Sequence, residues 1–145
     1  MQEKVGACVA VILKNEDNKV LIGRRPDKMQ NQTEIEEQGT WTLPMTEIRQ
    51  GEEFEQAAAR VAMQEAGIRV DFSRVACVNN DKTDKAQFAT VGMVSDRWIG
   101  EAQVKNPEKI VEWSWFSLED SPFPIYIPSA KALMCFKKGK FNFST

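Results

Sequence analysis

Residues 39–68, GTWTLPMTEIRQGEEFEQAAARVAMQEAGI, constrain the fold of this chain more than any other stretch. They read as a short strand over 41–43, a loop, and a helix over 54–66. Phe54, Ala57, Ala58, Val61 and Ala62 recur at the three/four spacing of a helix that buries one stripe. Gly67 follows at once and supplies the stop. Glu65 falls one turn after Val61, on the face that should be buried. A carboxylate there is bent to the edge of the stripe or held by a partner or a cation.

The same stretch resembles the Nudix box, whose pattern is G-x5-E-x7-R-E-U-x-E-E-x-G-U with U a bulky apolar residue. Glu52, Arg60, Glu65, Gly67 and Ile68 match it in an unbroken register, after a lead-in of Gly39, Trp41, Leu43 and Pro44. The departures are Met45-Thr46 for a glycine pair, Val61 and Gln64 for two glutamates, and Ala62 for a larger apolar residue. The resemblance implies an α/β chain with the Nudix fold, an α/β/α sandwich around a mixed β-sheet, as a single domain over residues 1–145.

The resemblance also implies chemistry. Nudix hydrolases cleave a nucleoside diphosphate linked to another group X, using divalent cations to neutralise charge on the phosphate oxygens. Glu52, Arg60 and Glu65 are then the catalytic candidates, with Glu65 and Glu52 as ligands for Mg²⁺ or Mn²⁺. Positions 61, 64 and 65 lie one helical turn apart, so acids there would converge on one spot. This chain keeps Glu65 of that trio. Two readings follow. One is a divergent MutT-like hydrolase of nucleoside diphosphate-X or nucleoside triphosphates, weak or of altered specificity. The alternative is a catalytically inactive Nudix domain that binds a nucleotide-like ligand or a protein partner. Glu65 on the same side of the helix favours position 61 still facing the metal over Val61 having joined the core.

Composition narrows the choices. At 145 residues the chain can bury a real core, and a net charge of −2 offers no attraction to nucleic acid or membrane. The chain contains no histidine, which removes histidine bases and Ser-His-Asp triads. Cys8, Cys77 and Cys135 are odd in number and widely spaced, consistent with reduced thiols in the cytoplasm. Nine uncharged residues between Lys4 and Lys14 are too few for a signal peptide or a span. The expected partner is a nucleotide-type small molecule, bound by a monomer or a homodimer.

The rest of the chain reads in order. Segments 5–13 and 19–25 are strands around an Asn15-Glu16-Asp17-Asn18 turn, and look like a hairpin. Arg24 and Arg25 at its end either meet a negatively charged ligand or form a solvated strand end. Residues 26–38 are a polar loop carrying Glu34, Glu36 and Glu37, near the mouth of the pocket in this family. Segments 75–78 and 87–95 are strands, separated by a loop over 79–85 that holds Asp81 and Asp84. Residues 106–110 read as a turn or a single helical turn. Residues 112–117, EWSWFS, alternate as a strand with Trp113 and Trp115 on one face. Trp115 is the candidate platform for a nucleobase, with ordinary packing as the other reading. A short helix over 129–138 closes the chain.

Overall fold

The structure, a computed structural model, describes residues 4–144. The apolar run expected near the N-terminus becomes β1 (Lys4–Leu13), buried on both faces from Cys8 onward. It is central to a four-stranded sheet with β4 (Met45–Glu47), β5 (Arg69–Lys82) and β6 (Ala86–Ile99), in the order β4-β1-β6-β5. β1 runs parallel to β6 and antiparallel to β4, so the sheet is mixed. A second sheet has the order β3-β2-β7, built from β3 (Trp41–Thr42), β2 (Lys19–Arg24) and β7 (Glu112–Ser117).

Alternation along β1 divides the core. Val9, Val11 and Leu13 pack with Ala57, Ala58, Val61 and Ala62 of helix α1 (Phe54–Ala66). Cys8, Ala10 and Ile12 pack with Ala132, Leu133 and Cys135 of helix α2 (Ile127–Lys138). The two helices therefore cover opposite faces, as an α/β/α sandwich requires. α1 spans the residues its periodicity predicts, and its stripe is buried from Ala57 onward, but Phe54 in the first turn is 39% exposed rather than part of the stripe. Gly67 ends it with φ 70°, a left-handed conformation that glycine adopts without a Cβ clash; its N–H donates to the Met63 carbonyl at 3.1 Å and that of Ile68 to the Ala62 carbonyl at 3.2 Å. All three cysteines are buried thiols outside any disulfide, in the cluster under α2 to which Cys135 itself belongs, with Cys77 Sγ beside the Ala132 carbonyl.

Three expectations are corrected. β1 and β2 are joined by a tight turn but share just the Lys14–Val20 bridge, then diverge into different sheets because each has a better partner, β6 and β7. The strands over 75–78 and 87–95 are the middles of the much longer β5 and β6, with their turn confined to residues 83–85. Asp81 is accordingly a strand residue, 3% exposed, held by Thr90 Oγ1 at 2.6 Å and Lys131 Nζ at 2.8 Å. The polar run 79–82 mimics a loop, but Asn79 and Asp81 point into the fold and find partners there, while Asn80 and Lys82 alternate with them toward solvent. Finally, residues 45–47, expected in a loop, form β4 along β1.

Candidate functional site

The loop between β4 and α1 is shaped by one arginine. Arg60 Nε donates to Glu52 Oε2 at 2.8 Å and Nη2 to Glu52 Oε1 at 3.0 Å. Nη2 also reaches the Glu47 carbonyl at 2.9 Å, while Nη1 reaches Thr46 Oγ1 at 3.3 Å and Gln64 Oε1 at 3.4 Å. These are five acceptors for the five N–H groups of a guanidinium. Glu52 Oε1 takes the Arg49 backbone N–H as well, at 2.9 Å. Arg60 and that N–H hold the Glu52 carboxyl down to about 2, so it is ionised. Glu52 and Arg60 brace the loop: the guanidinium has no N–H left over for a ligand, and three of the carboxylate's four lone-pair positions are taken.

Glu65 is placed differently. Its carbonyl accepts the Trp113 indole N–H at 3.2 Å, and the Met45 backbone N–H acts on its carboxylate. The carboxyl group faces a hollow of about 330 Å³ lined by Thr33, Glu36, Thr46, Arg49, Arg60 and Lys109 among others. Glu65 and Lys109 also line an adjoining hollow of about 220 Å³. Burial pushes the Glu65 carboxyl up to about 7; the Arg25 charge opposes the rise and Glu36 adds to it. Burial also acts to raise Glu36, but the Thr33 N–H and Lys109 outweigh it and hold that carboxyl below its ordinary value.

The acids of the box do not converge. Val61 is 1% exposed inside the cluster between α1 and β1, so position 61 belongs to the core rather than to the hollow. This reverses the expectation that it still faces a metal. Valine completes an apolar stripe that a carboxylate would interrupt. Gln64 is exposed and bonded to Arg60. Among the described residues no group of three or more His, Cys, Asp or Glu is placed to hold a metal ion.

The remaining candidates lie outside the hollow's lining. Arg24 pairs with Glu112 at 3.3 Å and Asp27 at 3.7 Å at the strand end. Arg25 is 4% exposed, lies 4.8 Å over the Tyr126 ring, and reaches Ile35 O at 3.4 Å and Thr42 Oγ1 at 3.5 Å. Its Nη1 has no hydrogen-bond partner. Trp115 stacks on Trp98 with centroids 5.3 Å apart and an interplanar angle of 18°. The pair lines a separate hollow of about 450 Å³ with Gly100, Glu101 and Ala102. A larger hollow, about 570 Å³, lies at the β1–β2 turn and contains no residue of the box. Lys109 is the site residue that sequence reading missed. Its signal was weak, a lysine in a polar turn, and it gains meaning from the ion pair it makes with Glu36 at 2.9 Å.

A mixed sheet between two helices, with an arginine–glutamate brace fixing the loop before one of them, defines a domain of the Nudix type. The chain belongs to the Nudix family: the family model described as the NUDIX domain matches residues 4–134. It is similar to the RNA pyrophosphohydrolase of Bartonella quintana (strain Toulouse), 30% identical over 135 residues, covering 79% of this chain and 78% of that protein. Its fold is similar to that of the MutT NUDIX hydrolase from Burkholderia pseudomallei, with TM-score 0.78, 23% identity, and 92% and 98% of the two chains covered. The NUDIX domain of Shewanella oneidensis NrtR, solved in complex with ADP ribose, aligns with TM-score 0.69, 17% identity, and 95% and 88% covered.

Proposed function

We propose that the protein is a divergent Nudix hydrolase that slowly cleaves the pyrophosphate bond of a nucleoside diphosphate-X or nucleoside triphosphate, with one divalent cation at Glu65. The observation that carries this reading is the Glu65 carboxyl, which faces a hollow while the other box acid, Glu52, is consumed by Arg60. The donor set fits one Mg²⁺ or Mn²⁺: such an ion accepts one or two protein carboxylates when water and substrate phosphates complete its shell. A bound cation supplies charge neutralisation at the phosphate oxygens and a more acidic water. Glu65 would hold it, Arg60 and Glu52 keep the phosphate-facing loop in shape, and Lys109 and Arg49 add positive charge to the lining. Arg25 acts from behind the wall through its field on Glu65.

No box residue is left to activate water, because Val61 is in the core. Loss of such a group costs on the order of 10²–10⁴ in rate, hence slow turnover. The nucleotide class is supported by the curated relative's name and by the ADP ribose bound to the NrtR domain. A cytoplasmic setting suits three buried thiols outside any disulfide, and no helix among the described residues is long and apolar enough to cross a membrane. The second reading, binding without cleavage, is favoured by the elevated proton affinity of Glu65, which weakens its hold on a cation near neutrality.

The test is turnover and binding on a panel of nucleoside triphosphates, ADP-ribose and dinucleotides, with Mg²⁺ or Mn²⁺. Cation-dependent turnover that Glu65→Gln abolishes supports the hydrolase. Binding without turnover favours the second reading. Turnover that survives Glu65→Gln unchanged overturns the assignment of Glu65, and neither binding nor turnover overturns both readings.

A further inference from the structure

We infer that Lys109 is a specificity-determining residue of this site: its ammonium takes a phosphate of a diphosphate-type ligand, releasing Glu36 to do so. The inference rests on the nucleotide reading above and extends it to a residue outside the box.

Glu65 and Lys109 are the two residues that line both adjoining hollows, so the lysine stands beside the space a ligand at Glu65 would fill. The other cations of the neighbourhood are less well placed. Arg60 has all five N–H groups committed to the loop. Arg24 is tied to Glu112 and Asp27, and Arg25 is not part of the lining. Arg49 also lines the first hollow, but it is exposed and does not border the second, as Lys109 does.

Lys109 itself is bonded so that it can exchange a partner. Its backbone is fixed by a turn in which the Lys109 and Ile110 N–H groups donate to Asn106 O at 2.9 and 3.0 Å, with Ile110 buried behind it. Its Nζ donates to Asn31 O at 2.8 Å and Glu36 Oε1 at 2.9 Å, two of an ammonium's three donors. Lys109 is 26% exposed at the side chain and Glu36 11%, so the pair meets solvent and an incoming anion can compete for it. Glu36 Oε1 keeps the Thr33 N–H at 2.8 Å when the lysine leaves. A compact ammonium on a flexible stem is suited to such a swap, and a phosphate group offers more negative charge than the carboxylate it replaces. Glu36 thus acts as an internal competitor for the ligand.

A plain structural latch, in which Lys109 merely ties loop 26–38 down, predicts the opposite sign for one variant. The experiment measures affinity of the full chain for AMP, ADP and inorganic pyrophosphate, with and without Mg²⁺, in Lys109→Met, Lys109→Arg and Glu36→Gln. The expected result is a loss of about 10- to 100-fold for ADP and pyrophosphate in Lys109→Met, the weight of one charge-assisted hydrogen bond. The loss for AMP should be smaller, Lys109→Arg should retain binding, and Glu36→Gln should bind pyrophosphate more tightly than the unmodified protein. Equal weakening by Lys109→Met and Glu36→Gln would mean a latch and overturn the inference, as would unchanged affinity in Lys109→Met. Should Lys109→Met not fold, the direction of the Glu36→Gln change decides alone. Lys109-dependent pyrophosphate binding with no gain from any nucleoside would uphold the inference while removing the nucleotide reading. Absence of pyrophosphate binding by the unmodified protein would overturn the inference outright.

Discussion

Trp113 donates its indole N–H to the carbonyl of Glu65 at 3.2 Å, joining the three-stranded sheet to the residue whose side chain faces the hollow. The bond depends on a missing side chain. A Cβ on Gly23 would lie 2.6 Å from the Trp113 ring, so the indole can lie across β2 where it does because Gly23 has no side chain. Gly23→Ala is expected to displace Trp113 and to cost about 1–3 kcal/mol, the range for overpacking. Urea denaturation gives the cost, and a changed near-ultraviolet circular dichroism spectrum would report the moved indole. An unaltered spectrum at full stability would contradict the contact.

The Arg60–Glu52 brace should show in acid. The Glu52 carboxyl titrates near 2 in the folded protein and around 4.3 in the unfolded chain, so the folded carboxyl has the lower value. Its contribution is therefore complete above about pH 4.3 and is lost as pH falls toward 2. Glu52→Gln should lower stability at neutral pH by about 1.5–3 kcal/mol and flatten the decline between pH 4.5 and 2. The check is a series of urea midpoints over that range for both proteins.

Glu65 should behave in the reverse sense and in a separate window. Burial raises its carboxyl to about 7, so between about pH 4.3 and 7 the folded protein holds a proton that the unfolded chain has released. Stability then falls as pH rises through that interval, and Glu65→Gln should remove the fall and be the more stable protein at pH 8. Added Mg²⁺ or Mn²⁺ should raise the melting temperature of the unmodified protein more at pH 8 than at pH 6, and should leave Glu65→Gln unmoved. A cation shift that persists in the variant would place the ion elsewhere.

Restoring the box acids should separate two positions that look equivalent in the sequence. Val61→Glu puts a carboxylate into the cluster with Val9, Val11 and Leu13 and should cost on the order of 3–5 kcal/mol, as an uncompensated buried charge does. Gln64→Glu changes an exposed residue already bonded to Arg60 and should leave the melting temperature nearly unchanged. Thermal melts without metal decide it; a stable Val61→Glu protein that gains cation-dependent turnover would return position 61 to the site.

Much of the sandwich was legible in advance because local pattern matches packing. The α1 stripe is buried, and the apolar run of β1 is buried on both faces. Along β7, Trp113 and Trp115 pack in one cluster and Phe116 in the other. The helix stripe, the Gly67 stop and the Trp113/Trp115 alternation each depend on neighbours a few residues away. The failures are long-range. The adjacency of segments 5–13 and 19–25 suggests pairing, and nothing local shows that 86–99 is the better partner for the first and 112–117 for the second. At the site, Glu65 announces itself as a polar interruption of an apolar face. Arg25 and Trp115 offer no such signal: whether an arginine at a strand end or a tryptophan on a strand face meets a ligand or a neighbouring ring is set by Tyr126 and Trp98. The role of Lys109 is written in its distance from Glu36, residues far apart in the chain.

The buried cysteines make the molecule its own clock. Cys77 Sγ sits so close to Gly92 that a Cβ there would lie 2.5 Å away, and burial pushes its thiol up to about 11. Since the thiolate is the reactive form, an alkylating reagent near neutral pH meets almost none of it while the fold is closed. Cys8 and Cys135 are equally shut away, at 0% and 1% exposure. The pace at which such a reagent consumes the three thiols therefore counts how often this protein opens, without a label having been introduced.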